Sequence, residues 1–245
     1  MARIRTLFLD AGGVLVWPNW NRVADVLRAR GIDVDPARLV DADPIARYAL
    51  NEAQVVPAPD QQRSKSFFEL VLLEAGVDLT DAVESALAEV RAYHRRENLW
   101  EIVPPFVKPA LAALREAGYQ LVVVSNANGT LHKLFDRVGL TPFFDVIIDS
   151  ELEGVEKPDR RIFEIALERS GAAREETVHT GDLYEIDVVG ARGAGLHAVL
   201  VDEAWLYGEA DCPRIRTIAE LGAAVMGRMG LMGPMGRMGR MGDPC

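Results

Sequence analysis

The stretch RTLFLDAGGVL, residues 5–15, constrains this chain more than any other. Leu7, Phe8 and Leu9 form a short apolar run that stops at Asp10, and the pair Gly12-Gly13 follows at once. A strand buried on both faces of a parallel sheet reads as a continuous apolar run, and glycines after it mark a sharp exit. Asp10 is therefore expected at the carboxyl end of a strand, the edge at which open α/β sheets bind ligands. The plainer alternative is an aspartate that only caps the next turn.

The same pattern returns in the second half of the chain. Runs at 119–124, 144–148, 177–180 and 196–201 end in Ser125-Asn126, Asp149-Ser150, Gly181-Asp182 and Asp202. Helical spacing fills the intervals: a helix entered at Pro104-Pro105 and ended by Gly118, then 130–138 before Gly139, 158–170 before Gly171, and 186–195. Five strands alternating with helices predict an α/β fold with a doubly wound, parallel, Rossmann-like sheet. Asp10, Ser125, Asp149, Asp182 and Asp202 would then share one edge and make it polar and acidic.

Between the first strand and this alternation the texture differs. After a loop at 14–20 and a short helix before Gly31, residues 36–98 are rich in Ala, Leu, Glu and Arg and poor in β-branched residues. Gly76 ends one helix there, and the segment 78–81 caps the next. The expected organisation is a core of 1–18 and 100–225, an inserted helical domain of 19–99, and a Met/Gly-rich tail of 226–245. A last core helix is expected at 214–225. The tail repeats Met-Gly with a period of three; its glycine content argues against a helix, so it reads as low complexity and dispensable for catalysis.

A net charge of −10 disfavours nucleic acid or an anionic membrane as partner. Arg91 with Arg95-Arg96 is the one local basic cluster, and a solvated helix face is its plainer reading. Two cysteines, Cys212 and Cys245, make neither a metal spacing nor a disulfide framework. No signal peptide or bilayer-length apolar run is read, so the expected location is cytoplasmic. No feature of the sequence sets an oligomeric state.

Asp10 in DAGGV, Ser125 in VVVSNA, Lys157 in GVEKPD, and Asp182 with Asp187 in TGDLYEID follow one another in a set order. With these motifs the chain resembles the haloacid-dehalogenase-like (HAD) hydrolase superfamily over residues 4–201, and the helical insert resembles that family's C1-type cap. The resemblance implies a hydrolase in which Asp10 is the nucleophile and forms an aspartyl-phosphate. It implies Mg²⁺ held by Asp10, the Gly12 carbonyl and Asp182. Ser125, the amide of Asn126, and Lys157 would bind the transferring phosphoryl group. Asp187 would hold Lys157 or a metal-bound water. The implied substrate is a small phosphorylated metabolite.

One departure bears on the chemistry. Phosphatases of that family usually carry a second Asp two residues after the nucleophile as general acid and base, and here that residue is Gly12. Val14 also replaces the usual Thr. Three explanations are open: His94 of the cap supplies the proton, the substrate has a good leaving group, or the protein is a binding relative of low or no turnover. A 2-haloacid dehalogenase is the enzymatic alternative, because halide leaves without a proton. It needs an arginine for the substrate carboxylate, with Arg22, Arg28 and Arg30 as candidates, and it needs no metal.

Overall fold

The computed structural model describes residues 3–52, 60–208 and 210–227. It opens with β1 (Thr6–Leu9) and then α1 (Trp20–Arg28), α2 (Pro36–Glu52), α3 (Asp60–Glu74) and α4 (Asp81–Glu97). The chain returns through α5 (Val107–Glu116), β2 (Gln120–Ser125), α6 (Leu131–Val138), β3 (Val146–Asp149), α7 (Ser150–Glu153) and α8 (Arg160–Ser170). It closes with β4 (Thr177–Gly181), a wide π-helical turn at Tyr184–Val189, α9 (Gly190–Gly193), β5 (His197–Val201), β6 (Arg214–Ile215) and α10 (Leu221–Gly227). No helix of the described residues is long and apolar enough to cross a membrane.

The six strands form one parallel sheet in the order β3-β2-β1-β4-β5-β6. This is the α/β, Rossmann-like sheet expected from the alternation. Successive strand residues point to opposite faces, and the sheet is covered on both. Leu7 and Leu9 pack with Leu111, Leu134 and Leu221 on one side, while Phe8 packs with Ile162, Phe163 and Ala191 on the other. The strand order reverses between β1 and β4, and a crevice for ligand opens outside the strand ends at such a point.

The helices α1–α4 bury a separate apolar cluster that includes Trp20, Leu27, Phe68, Leu72 and Leu87. Two linkers join this cap to the core, and they pair with each other. Trp17 N–H donates to the Ile102 carbonyl (2.8 Å), Ile102 N–H donates to that of Trp17 (3.1 Å), and Asn19 N–H donates to that of Leu99 (2.9 Å). Trp100 packs against both the cap cluster and the core cluster.

Two local expectations are corrected. Residues 214–225 are not one helix. The backbone of Pro213 and Ile215 accepts from Leu200 N–H (2.9 Å) and Asp202 N–H (2.8 Å), which adds β6 to the sheet before a 3₁₀ turn leads into α10. The segment 186–195 is not one regular helix either, because the π-helical turn precedes α9. The tail beyond Gly227, with Cys245, lies outside the described residues.

Candidate active site

Asp10 directly follows β1, and its amide continues the ladder by donating to Thr180 O (2.9 Å). The chain then folds back at once, the Ala11 carbonyl accepting from the amides of Leu15 (2.9 Å) and Val16 (3.0 Å). Gly13 makes that turn at φ +67°, and a Cβ there would collide with Arg47 and the Asp182 carboxylate. Glycine is required by the backbone and by the close approach alike. Gly12 differs: a Cβ would meet the Trp100 indole, 3.3 Å from Nε1, so a larger side chain at residue 12 competes with Trp100 for space.

Lys157 is almost wholly buried, at 1% exposure. Its Nζ reaches Asp10 Oδ1 at 2.9 Å and Asp187 Oδ1 at 2.7 Å. The Asn126 side chain clamps the Lys157 backbone from both sides: Nδ2 donates to the Lys157 carbonyl (2.9 Å), and Oδ1 accepts from Lys157 N–H (2.7 Å). Ser125 closes β2 beside it, buried and facing the same cavity. Asp182 follows β4 on the far side of Asp10. Asp187 comes beneath Gly181 so closely that a Cβ on Gly181 would collide with its carboxylate. The π-helical turn sets this approach. Leu183 N–H donates to Asp187 Oδ2 (3.0 Å), and Asp187 N–H donates to Leu183 O (2.7 Å). Such turns recur at functional sites.

Charge in this buried space is balanced locally. Burial works to lower the Lys157 pKa, but Asp10 and Asp187 outweigh it and keep the side chain an ammonium. Burial works to raise Asp187, yet Lys157 and His179 hold its carboxyl well below the usual range. For Asp10 burial wins and its pKa is raised despite Lys157. Asp182 is pushed up to about 7 by burial and its carboxylate neighbours, against Arg47. Asp10, Asp182 and Asp187 offer oxygens that all lie within 4.8 Å of one another. Three buried carboxylates facing one space are costly without cations, and an all-oxygen donor set suits a hard divalent metal. The cluster could hold one.

The expected set Asp10, Gly12, Ser125, Asn126, Lys157, Asp182 and Asp187 lines one cavity of about 150 Å³. The other two strand-end aspartates do not join it. Asp149 is used up as a cap, accepting from the amides of Gly129 (3.1 Å), Leu131 (3.2 Å) and Glu151 (3.1 Å). Asp202 accepts from the amides of Leu206 and Tyr207 and pairs with Arg214. The acidic edge is thus narrower than the strand ends alone suggest, because an aspartate before a tight loop is consumed by that loop's amides. His94 lines the cavity, but burial lowers its pKa to about 4, and its Nδ1 accepts from Leu99 N–H (3.1 Å). A neutral imidazole is no proton donor for a leaving group at neutral pH, so the expectation placed on it is not supported.

Further residues join the site without having been expected, Arg63 and Ser64 of α3 among them. Arg47 of α2 enters from the cap, its Nη1 donating to Asp182 Oδ2 at 2.9 Å, while Asp43 holds its Nε at 2.7 Å. Trp20 Nε1 in turn donates to Asp43 (2.9 Å). The arginines considered instead point elsewhere: Arg22 pairs with Glu101, Arg28 with Asp25 and Arg30 with Glu89. Trp100 forms the wall opposite Gly12. His179, in the middle of β4, reaches Asp187 Oδ1 at 2.9 Å through Nε2. The basic group on α4 is a surface feature, with Arg91 paired to Glu84 (2.6 Å).

The profile of one protein family, described as haloacid dehalogenase-like hydrolase, matches residues 4–195. Haloacid dehalogenase-like hydrolase domain-containing protein 3 of Bos taurus is 34% identical over 128 residues, which are 52% of this chain and 51% of that protein. Glyceraldehyde 3-phosphate phosphatase of Methanothermobacter thermautotrophicus is 38% identical over 110 residues, 44% of this chain and 48% of that protein. The chain thus spans about half the length of these curated relatives. Among solved structures, the magnesium-bound HAD-hydrolase YfnB of Bacillus subtilis superposes with a TM-score of 0.67 at 20% identity, over 91% of this chain and 99% of that one. At that identity the likeness speaks for the fold alone.

Proposed function

The chain belongs to the haloacid dehalogenase-like hydrolases, and from that premise we propose that it is a Mg²⁺-dependent phosphatase of small phosphorylated molecules, with Asp10 as its nucleophile. The observation that carries this reading is the Asp10–Lys157–Asp187 chain of buried ion pairs, set beside Asp182 where the strand order reverses. The phosphatase names among its relatives support it, and so does the cluster of carboxylates.

In this reading the Asp10 carboxylate attacks phosphorus, giving an acyl phosphate on its own side chain. Lys157 stands against Asp10 and neutralises the phosphoryl oxygens as they approach, while Ser125 and the main-chain amide of Asn126 hydrogen-bond them. The Asn126 side chain acts indirectly, by fixing the Lys157 backbone. Asp187, itself held by His179 and Leu183 N–H, keeps Lys157 charged and aimed. Asp10, the Gly12 carbonyl and Asp182 would hold the metal ion, whose charge offsets the repulsion between carboxylate and phosphate. A cytoplasmic location goes with this reading and rests on the sequence alone.

A dehalogenase is the weaker reading. Two arginines among the described residues line the cavity, and both are engaged: Arg47 by Asp43, Asp182 and Glu203, and Arg63 by Glu156 (3.4 Å). The three clustered carboxylates suit a divalent metal, which halide release does not need. Chelation is the test. Hydrolysis of an aryl phosphate should stop in excess chelator and return with Mg²⁺, and Asp182→Asn should need far more Mg²⁺ for the same rate. Full activity in chelator would overturn the metal assignment.

A further inference from the structure

The polar floor of the cavity suits a phosphoryl group, but the space above it suits something apolar. Leu50, Phe67, Trp17, Trp100 and Leu134 face it from the cap, the linkers and α6, with Arg63, Ser64 and Asn98 as polar neighbours on the same side. Trp100 stands directly over residue 12 and is held rigidly. Its ring lies 5.0 Å from that of His94, 5.7 Å from Phe68 and 6.1 Å from Phe67. The indole therefore presents a fixed aromatic edge and its Nε1–H where a side chain from residue 12 would otherwise reach.

Two titratable groups of the cap that could give a proton to a leaving oxygen, Asp43 and His94, line this space, and both are engaged elsewhere. Burial raises the Asp43 pKa, but its carboxylate is taken up by Trp20 Nε1–H on Oδ2 (2.9 Å) and by the Arg47 guanidinium against Oδ1 (2.7 Å). The His94 ring is held at Nδ1 by Leu99 N–H (3.1 Å) and at Nε2 by the Asn128 side chain (3.1 Å), and burial lowers its pKa to about 4. A sugar alkoxide departs poorly under these conditions, because groups engaged elsewhere do not protonate it as it leaves. A phenoxide carries its own charge away, and its ring can pack against Trp100.

Resting on the phosphatase reading above, we propose that the substrate is an aryl phosphate ester, its ring packed on the Trp100 wall and its phenolic oxygen leaving without protein-supplied proton. Asp10 Oδ bonds to phosphorus as the phosphorus–oxygen bond to the ring breaks, and the electron pair goes to the departing phenoxide. Solvent protonates the phenoxide after release. Water then attacks the phosphorus of the acyl phosphate, frees inorganic phosphate and restores the Asp10 carboxylate.

The experiment compares phenyl phosphate, its saturated counterpart cyclohexyl phosphate, and acetyl phosphate, each with Mg²⁺. The two ring esters match in size and differ in the basicity and flatness of what leaves. The expected kcat/KM for phenyl phosphate exceeds that for cyclohexyl phosphate by about 10²-fold or more, the loss an absent general acid imposes on the alkyl ester. Trp100→Leu should raise KM for phenyl phosphate about tenfold more than for acetyl phosphate, which has a good leaving group but no ring. Should that variant not fold, the phenyl-to-cyclohexyl ratio in the native protein decides alone. Equal kcat/KM on the two ring esters, with hydrolysis still lost in Asp10→Asn, overturns this inference and leaves the phosphatase reading intact. Equal KM changes in Trp100→Leu overturn the aromatic contact. No hydrolysis of any of the three overturns both readings.

Discussion

The floor and the wall of the cavity are built by different rules. Floor residues stand at the ends of parallel strands or in the short loops after them, and every charge there has a counter-charge within ion-pair distance: Lys157 with Asp10 and Asp187, Asp182 with Arg47. The wall comes from the linkers, the cap helices and α6, is mostly aromatic or aliphatic, and is held by ring packing. A floor of this kind sets which reaction is possible, because the sheet fixes where the charges sit. A wall of this kind sets which molecule is accepted, because its shape follows from how a separate helical cluster docks. Residue 12 is where the two meet, and glycine there hands the position to the wall.

The comparison is broken most severely by removing the central cation of the floor. Lys157→Met leaves Asp10 and Asp187 buried and uncompensated, and unpairing a buried ion pair costs about 3–5 kcal/mol. Urea unfolding should show a loss of that size, together with a fall in kcat of about 10²-fold or more. Native stability in this variant would mean that the floor is not electrostatically closed.

A smaller effect sharpens the account of the wall. Burial, with Arg95 adding to it, lowers the His94 pKa to about 4 from 6.5. The unfolded chain therefore takes up this proton first as pH falls. The stability that His94 contributes as a neutral packed ring is full above pH 6.5 and is lost progressively toward pH 4, amounting to about 2 kcal/mol at pH 5. Between pH 7 and 5, His94→Gln should lose less stability than the native protein by about that amount. An identical pH slope in both proteins would mean that His94 titrates freely and could serve as the proton source that this account denies.

The floor was legible in the sequence because strand ends are. Asp10, Ser125 and Asp182 each terminate a run of apolar residues, and the sheet alone brings such ends together. Asp149 and Asp202 carry the same local signature, yet their oxygens go to amides of the following loop; loop geometry, not strand pattern, decides that. Arg47 and Trp100 had no such signal. Arg47 sits on a helix with many charged residues, and only the docking of the cap turns it toward Asp182 instead of solvent. Trp100 lies in a linker whose conformation follows from its pairing with residues 17–19. His179 sits in the middle of a strand, and its partner Asp187 is brought to it by a π-helical turn that a regular helical reading of 186–195 does not contain. Helical periodicity and strand alternation report which face is buried, not which polar atom meets which.

The most direct measurement follows Asp10 itself. Rapid quenching during turnover of phenyl phosphate with Mg²⁺, with peptide mass analysis of the segment around residue 10, reads the phosphorylated fraction. The account predicts a burst of phenol and a phosphoryl group on Asp10, because the floor supports attack while residue 12 offers no base to speed the attack of water. Product formed at a steady rate, with Asp10 unmodified throughout, would contradict it.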